Sequence, residues 1–143
     1  SIDPAAAALL DVGCGRGYWL ERVAQEKSLT LTGCDVYDNV ALKNAQYKKG
    51  SIDKLPFPDA SFDVVTATCI LEHIVDIDEA VKELKRVARK QVIIVVPCQR
   101  YYYYTLDMHV HFFPNQFDVE ALMKMPQHTC KKIWGDWLYV GSK

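Results

Sequence analysis

The sequence has no pair of cysteines spaced C-x-x-C, and its five cysteines, Cys14, Cys34, Cys69, Cys98 and Cys130, are scattered. An odd, dispersed set argues against a disulfide framework and reads as reduced thiols of a cytoplasmic protein. No apolar run approaches the roughly 18 residues that cross a bilayer. The apolar stretch at 5–12 lacks a preceding basic region, so it does not read as a signal peptide, and no membrane partner is expected. An excess of one charge is also missing: 17 Lys and Arg stand against 18 Asp and Glu, a formal net charge of −1. Binding to nucleic acid draws on a basic surface, so none is expected as partner. With no internal repeat or low-complexity linker, residues 1–143 read as a single domain large enough for one core.

What is present is an alternation of two hydrophobic periods. Short apolar runs at 7–12, 29–36, 63–68 and 91–97 read as strands, the last ("QVIIVVP") continuous enough for a sheet covered on both faces. Residues 46–51 suit a further, edge-like strand. Helical spacing appears at 18–27 and most clearly at 76–90, where Ile77, Ala80, Val81, Leu84, Val87 and Ala88 recur on one face. A short helical turn is expected at 38–44, a helix at 117–125, and a hairpin at 129–142 turning near Gly135 and Asp136. Strand and helix in alternation imply an α/β fold with a mainly parallel sheet. The connection at 97–116 exceeds the usual loop length and is expected to be functional.

The stretch "LLDVGCGRGYWL" follows the first strand and opens the first helix, the place where an open parallel sheet binds its ligand. It is not G-x-G-x-x-G, because Tyr18 stands at the last position, and the Gly-Lys-Ser/Thr of a Walker loop is absent. D-x-G-x-G-x-G resembles the first motif of the class I S-adenosylmethionine-dependent methyltransferases. "LTGCDV" resembles their second motif, and "GSIDKLPFPDASFDVVTATCILEHI" resembles the third and fourth. The resemblance runs from Leu9 to Pro97 and implies a three-layer Rossmann-like fold, a mainly parallel sheet with a C-terminal antiparallel hairpin.

The cofactor implied is S-adenosyl-L-methionine. By resemblance, Asp11 and the backbone of Gly13, Cys14, Gly15 and Gly17 surround its amino-acid end, and Asp35, followed by Val36, accepts the ribose hydroxyls. Ser51 stands where the family carries an Asp beside adenine, which passes that contact to Asp53 or to the backbone of Ile52. Cys69 lies beside the cofactor through its backbone. His73 is the candidate catalytic base, although the family's Leu-Glu-His segment also shapes the pocket. Glu72 and His73 without a third ligand leave metal binding unexpected.

Pro97-Cys98-Gln99 looks like the nucleophile tripeptide of the cytosine-5 methyltransferases, but it follows the fifth strand rather than the fourth and reads as coincidence. Asn/Asp-Pro-Pro-Tyr/Phe, the amino-methyltransferase signature, is absent. Tyr101, Tyr104, His109 and His111 fall where the family builds its acceptor pocket. Their rings suit a small-molecule or saccharide-type acceptor, methylated at oxygen. Few residues precede the first strand, so the family's N-terminal helices are expected to be reduced or missing and the pocket open. The alternative is therefore a cofactor-binding module that needs a partner chain, or a second copy, to complete its acceptor site. A protein or RNA methyltransferase is a third possibility, with the charge balance against RNA.

Overall fold

In the computed structural model, which describes residues 2–38, 40–102 and 106–143, paired apolar residues divide between two faces of one sheet. Leu9, Val64 and Ile93 point to one side and Leu10, Val65 and Ile94 to the other, as the two-residue period of a strand requires. The elements run β1 (Ala8–Val12), α1 (Tyr18–Glu26), β2 (Thr30–Asp35), β3 (Gln46–Lys49) and β4 (Phe62–Thr68). A 3-10 turn (Leu71–His73), α2 (Ile77–Val87), β5 (Ala88–Pro97), α3 (Gln116–Met123), β6 (Gln127–Ile133) and β7 (Asp136–Ser142) follow. The sheet order is β3-β2-β1-β4-β5-β7-β6. The first five strands pair in parallel, and the C-terminal hairpin adds β7 antiparallel to β5. Chain order reverses at β1, which has β2 on one side and β4 on the other, so a crevice opens beyond its carboxyl end.

Helices cover both faces, giving three layers. Ala80, Val81, Leu84 and Val87 of α2 and Val119 and Met123 of α3 pack on the face that carries Leu10, Val65 and Ile94. Leu20 and Val23 of α1 pack on the other. Leu84 has no exposed surface, a burial that contributes about 2 kcal/mol. Asp76 caps α2 by accepting from the Glu79 N–H at 3.2 Å. Among the described residues, no helix is long and apolar enough to cross a membrane.

Two expected elements differ. Helix α2 stops at Val87 rather than at residue 90, because Ala88 already pairs with Phe62 of β4. Arg89 then reaches Asp63 at 3.0 Å and the Ala60 carbonyl at 3.1 Å, contacts that hold it in the strand. No helical turn occurs among the described residues of 38–44. The Tyr47 hydroxyl donates toward the carbonyls of Asp35 (3.0 Å) and Tyr37 (2.5 Å), which ties this stretch down as bends, while Leu42 packs against Gly17 and Gly33.

Candidate active site

The glycine loop is folded onto the end of β2. Gly13 and Cys14 both donate their N–H to the Cys34 carbonyl, at 2.8 and 3.2 Å. Gly15 N donates to Asp35 Oδ2 at 2.8 Å, and Val36 N donates to Oδ1 at 2.7 Å. Each oxygen of Asp35 thus carries one backbone hydrogen bond and keeps a lone pair for a further donor. Two glycines are dictated by geometry. Gly13 has φ +73° and an added Cβ would lie 3.0 Å from Ile70; Gly17, which starts α1, has φ +80° and an added Cβ would lie 2.5 Å from Leu42. A side chain at either position would be both strained and crowded.

Asp11 lies behind this loop, almost fully buried. Its Oδ1 is 2.6 Å from the Thr66 hydroxyl, which also lies 3.3 Å from the Leu10 carbonyl. Burial pushes the Asp11 carboxyl up to about 7, against the Thr66 hydrogen bond, and the charge of Asp35 adds to the rise. The Thr66 hydroxyl donates to Asp11 Oδ1, which offsets part of the cost of burying the carboxyl. Burial likewise pushes the neighbouring Cys14 thiol up to about 12, which suits a packing residue and not a nucleophile.

A cleft of about 120 Å³ opens at the carboxyl ends of these strands, lined by Val12, Gly13, Asp35, Val36, Gly50, Ser51, Ile52, Ile70 and Ile74. The structure therefore gathers five of the residues singled out from sequence: Gly13, Asp35, Val36, Ser51 and Ile52. Asp11, Cys14, Gly15 and Gly17 shape the loop without lining the cleft. Asp53 is exposed in the turn that Lys54 N closes on the Ser51 carbonyl, and Cys69 is exposed with its N–H on the Val95 carbonyl; both stand outside the lining. Ile70 and Ile74 were not among the sequence candidates. Their positions on either side of "LEH" were the available signal.

Beyond Ile70 the 3-10 turn carries Glu72 and His73. The Glu72 carbonyl accepts from Val110 N at 2.8 Å and His111 N at 3.1 Å, which clamps the long post-β5 loop to this turn. His73 Nδ1 lies 3.4 Å from the Met108 carbonyl, and its ring meets His109 edge-on with centroids 4.8 Å apart. His109 Nδ1 faces Gln99 Oε1 in a short contact and Asp107 Oδ2 at 3.2 Å. Gln99 Nε2 also donates to Asp107 at 3.1 Å, so the glutamine of Pro97-Cys98-Gln99 orients a histidine. The Glu72 side chain is buried, which raises its pKa, and its Oε2 has no hydrogen-bond partner among the described residues.

A second, larger cavity of about 530 Å³ lies beside the clamp, lined by Ile77, Tyr101, Val110, His111, Phe112, Phe113, Pro114, Asp118, Ala121 and Leu122. Tyr101 meets Phe112 edge-on at 5.1 Å, and His111 Nε2 is buried without a hydrogen-bond partner among the described residues. Of the acceptor-side candidates, Tyr101 and His111 line this cavity, His109 sits in the histidine cluster, and Tyr104 lies outside the described residues.

Residues 10–96 match the family described as "Methyltransferase domain". The chain is similar to the 27-O-demethylrifamycin SV methyltransferase of Amycolatopsis mediterranei, at 34% identity over 97 residues, covering 59% of this chain and 36% of that protein. It is also similar to the tRNA U34 carboxymethyltransferase of Nautilia profundicola, at 30% identity over 87 residues, covering 54% of this chain and 29% of that protein. The chain thus spans about a third of the length of these curated relatives. A Haloferax volcanii methyltransferase, solved in complex with the Trm112 methyltransferase activator, shares the fold with a TM-score of 0.78 at 14% identity, covering 95% of this chain and 82% of that one. The sheet order, the glycine loop closed by Asp35 and the match over 10–96 together make this chain a member of the class I S-adenosylmethionine-dependent methyltransferase family.

Proposed function

We propose that this chain acts as one domain that binds S-adenosylmethionine and methylates a small-molecule or saccharide-type acceptor at oxygen. The observation that carries the reading is the cleft over β1 and β2, where Asp35 offers a remaining lone pair on each carboxylate oxygen beside apolar Ile52, Ile70 and Ile74. Those residues fit the cofactor's chemistry. Asp35 would hold the ribose hydroxyls, the isoleucines would flank the adenine, and Asp11 with the glycine backbone would meet the ammonium end. When bound, the cofactor supplies an electrophilic methyl group on a sulfonium, a good leaving group.

The rest is alignment. The aromatic cavity of Tyr101, Phe112 and Phe113 offers planar walls for the acceptor, next to the clamp at Glu72. His73 would serve as the base: with the Nδ1 hydrogen directed at the Met108 carbonyl, Nε2 would take the proton of an attacking hydroxyl. The relative that acts on a rifamycin supports a small-molecule acceptor; the one named for tRNA stands against excluding nucleic acid, and the balanced net charge weighs toward the former.

The alternative, a module completed by a partner chain, is favoured by an apolar groove of about 260 Å³ on the α1 face. Ile2, Trp19, Thr66, Ile93, Val95 and Leu138 line it among others. The fold neighbour solved with an activator protein adds support. Turnover of labelled S-adenosylmethionine on a panel of hydroxylated small molecules, sugars and bulk tRNA tests both readings. Small-molecule turnover by the isolated chain is expected. Turnover on tRNA alone would overturn the acceptor reading, and turnover only with an added protein would favour the module.

A further inference from the structure

The histidine cluster gathers three side chains of metal-ligating type. One carboxylate oxygen of Glu72 and one ring nitrogen each of His73 and His109 lie within 4.8 Å of one another. His73 turns Nδ1 to the Met108 carbonyl, and His109 turns Nδ1 to Gln99 Oε1 and Asp107 Oδ2. Carbonyl and carboxylate oxygens accept only, so both rings turn an Nδ1 hydrogen to them, which in the neutral imidazole leaves the lone pair on Nε2. His73 Nε2 stands 4.0 Å from Glu72 Oε1. The other Glu72 oxygen is buried with no hydrogen-bond partner among the described residues, although buried carboxylates are ordinarily paired.

We infer that Glu72, His73 and His109 form a binding site for one divalent transition-metal ion, of the Zn²⁺ class, at the boundary between the cofactor cleft and the aromatic cavity. Two imidazoles and a carboxylate make a donor set suited to such an ion and leave a coordination position for an exogenous oxygen. A tetrahedral ion with bonds near 2.1 Å holds its ligand atoms about 3.4 Å apart. The three ligand atoms lie within 4.8 Å of one another, so an ion would draw them inward, and His73, whose side chain is 36% exposed, has room to move. The support is already built. Gln99 and Asp107 fix the tautomer and plane of His109, and the Glu72 carbonyl holds the loop through Val110 and His111. Isoleucines 70 and 74 bracket the turn and line the cofactor cleft, while Val110 and His111 line the aromatic cavity. An ion there would occupy His73 Nε2 and so replace its role as base: it would take the acceptor's oxygen in its open position and lower the pKa of a coordinated hydroxyl, the proton leaving to water. That role rests on the methyl-transfer reading above; the ion site itself does not.

The test is calorimetric titration of chelator-stripped full chain with Zn²⁺ and Co²⁺, followed on the same sample by S-adenosylhomocysteine. One equivalent of metal is expected, with the visible bands of a low-coordinate Co²⁺ site. Affinity should fall at least tenfold in Glu72→Gln and in His109→Ala. Gln99→Ala, which alters no ligand, should lose about tenfold. His128→Ala, in β6, should bind as the wild type does. Absence of stoichiometric binding by folded wild type, or unchanged affinity in both Glu72→Gln and His109→Ala, overturns the inference. Binding of S-adenosylhomocysteine without metal leaves the methyl-transfer reading standing and removes the metal; metal without S-adenosylhomocysteine does the reverse.

Discussion

Replacing Asp11 by Asn should set stability and cofactor binding moving in opposite directions. Asp11 is 3% exposed, and burial raises its carboxyl from 3.8 to about 7, with the charge of Asp35 adding to the rise. An acid whose folded pKa lies above its unfolded value binds its proton more tightly in the native state. The stability it contributes is therefore full below about pH 4 and declines as pH rises to about 7. Each pH unit across that interval costs about 1.4 kcal/mol, so the ceiling is about 4 kcal/mol. Local relaxation and water penetration reduce that to the order of 2 kcal/mol. Asn carries no charge at any pH, and its amide oxygen can accept from the Thr66 hydroxyl as Asp11 Oδ1 does. Asp11→Asn should match the wild type near pH 4.5 and exceed it at pH 8 by about 2 kcal/mol, roughly 6 °C in Tm for a domain of this size. Thermal unfolding by circular dichroism from pH 4.5 to 8.5 reads the gap, and titration with S-adenosylhomocysteine should show weakened binding at pH 8. A Tm gap that stays constant or closes as pH rises would refute the reasoning, because the buried charge would then not be the cost.

Other substitutions probe the frame around the site. Arg86 bonds Glu83, the carbonyls of Leu55 and Phe57, and Asp59, while Glu83 also accepts from Leu55 N at 2.7 Å. Arg86→Met strands a largely buried Glu83 and should cost about 3 kcal/mol in a urea melt; a loss below about 1 kcal/mol would mean the network is dispensable. Gly17→Ala places a Cβ 2.5 Å from Leu42 at φ +80° and should destabilise by about 1–3 kcal/mol, whereas an unchanged melting temperature would show that the loop relaxes freely. Asp63 accepts from Ala7 N and Ala8 N and pairs with Arg89, which hold its carboxyl below the usual carboxylate range. Its contribution is present above about pH 4 and lost as pH falls through its lowered pKa, so the deficit of Asp63→Asn should shrink in acid. An acid limb identical in shape to the wild type's would count against that assignment.

The sheet was legible because its strands announce themselves. "QVIIVVP" is too apolar for an edge, and the alternation at Leu9–Leu10 and Val64–Val65 assigns faces directly. Helix α2 was legible in its apolar face but not in its end, since what stops it is Ala88 pairing with Phe62, a contact 26 residues back along the chain. Asp35 was marked by its place after a strand. That its oxygens anchor Gly15 and Val36 follows from the loop's curl, which φ at Gly13 and Gly17 permits and no pattern of residues spells out. The histidine cluster was the least legible part. Glu72 and His73 lack a third ligand in sequence because His109 arrives only through the clamp of Val110 and His111 on the Glu72 carbonyl. Backbone hydrogen bonds of that kind carry no side-chain signature.

Titration of the wild type and Asp35→Ala with S-adenosylhomocysteine tests the central claim most directly. Saturable one-to-one binding by the wild type is expected. At 100 times the dissociation constant it should bring a stabilisation of about 2.7 kcal/mol, which is absent in Asp35→Ala. A folded wild type that shows no heat and no thermal shift, or an Asp35→Ala variant that binds as tightly as the wild type, would contradict the assignment of the cleft.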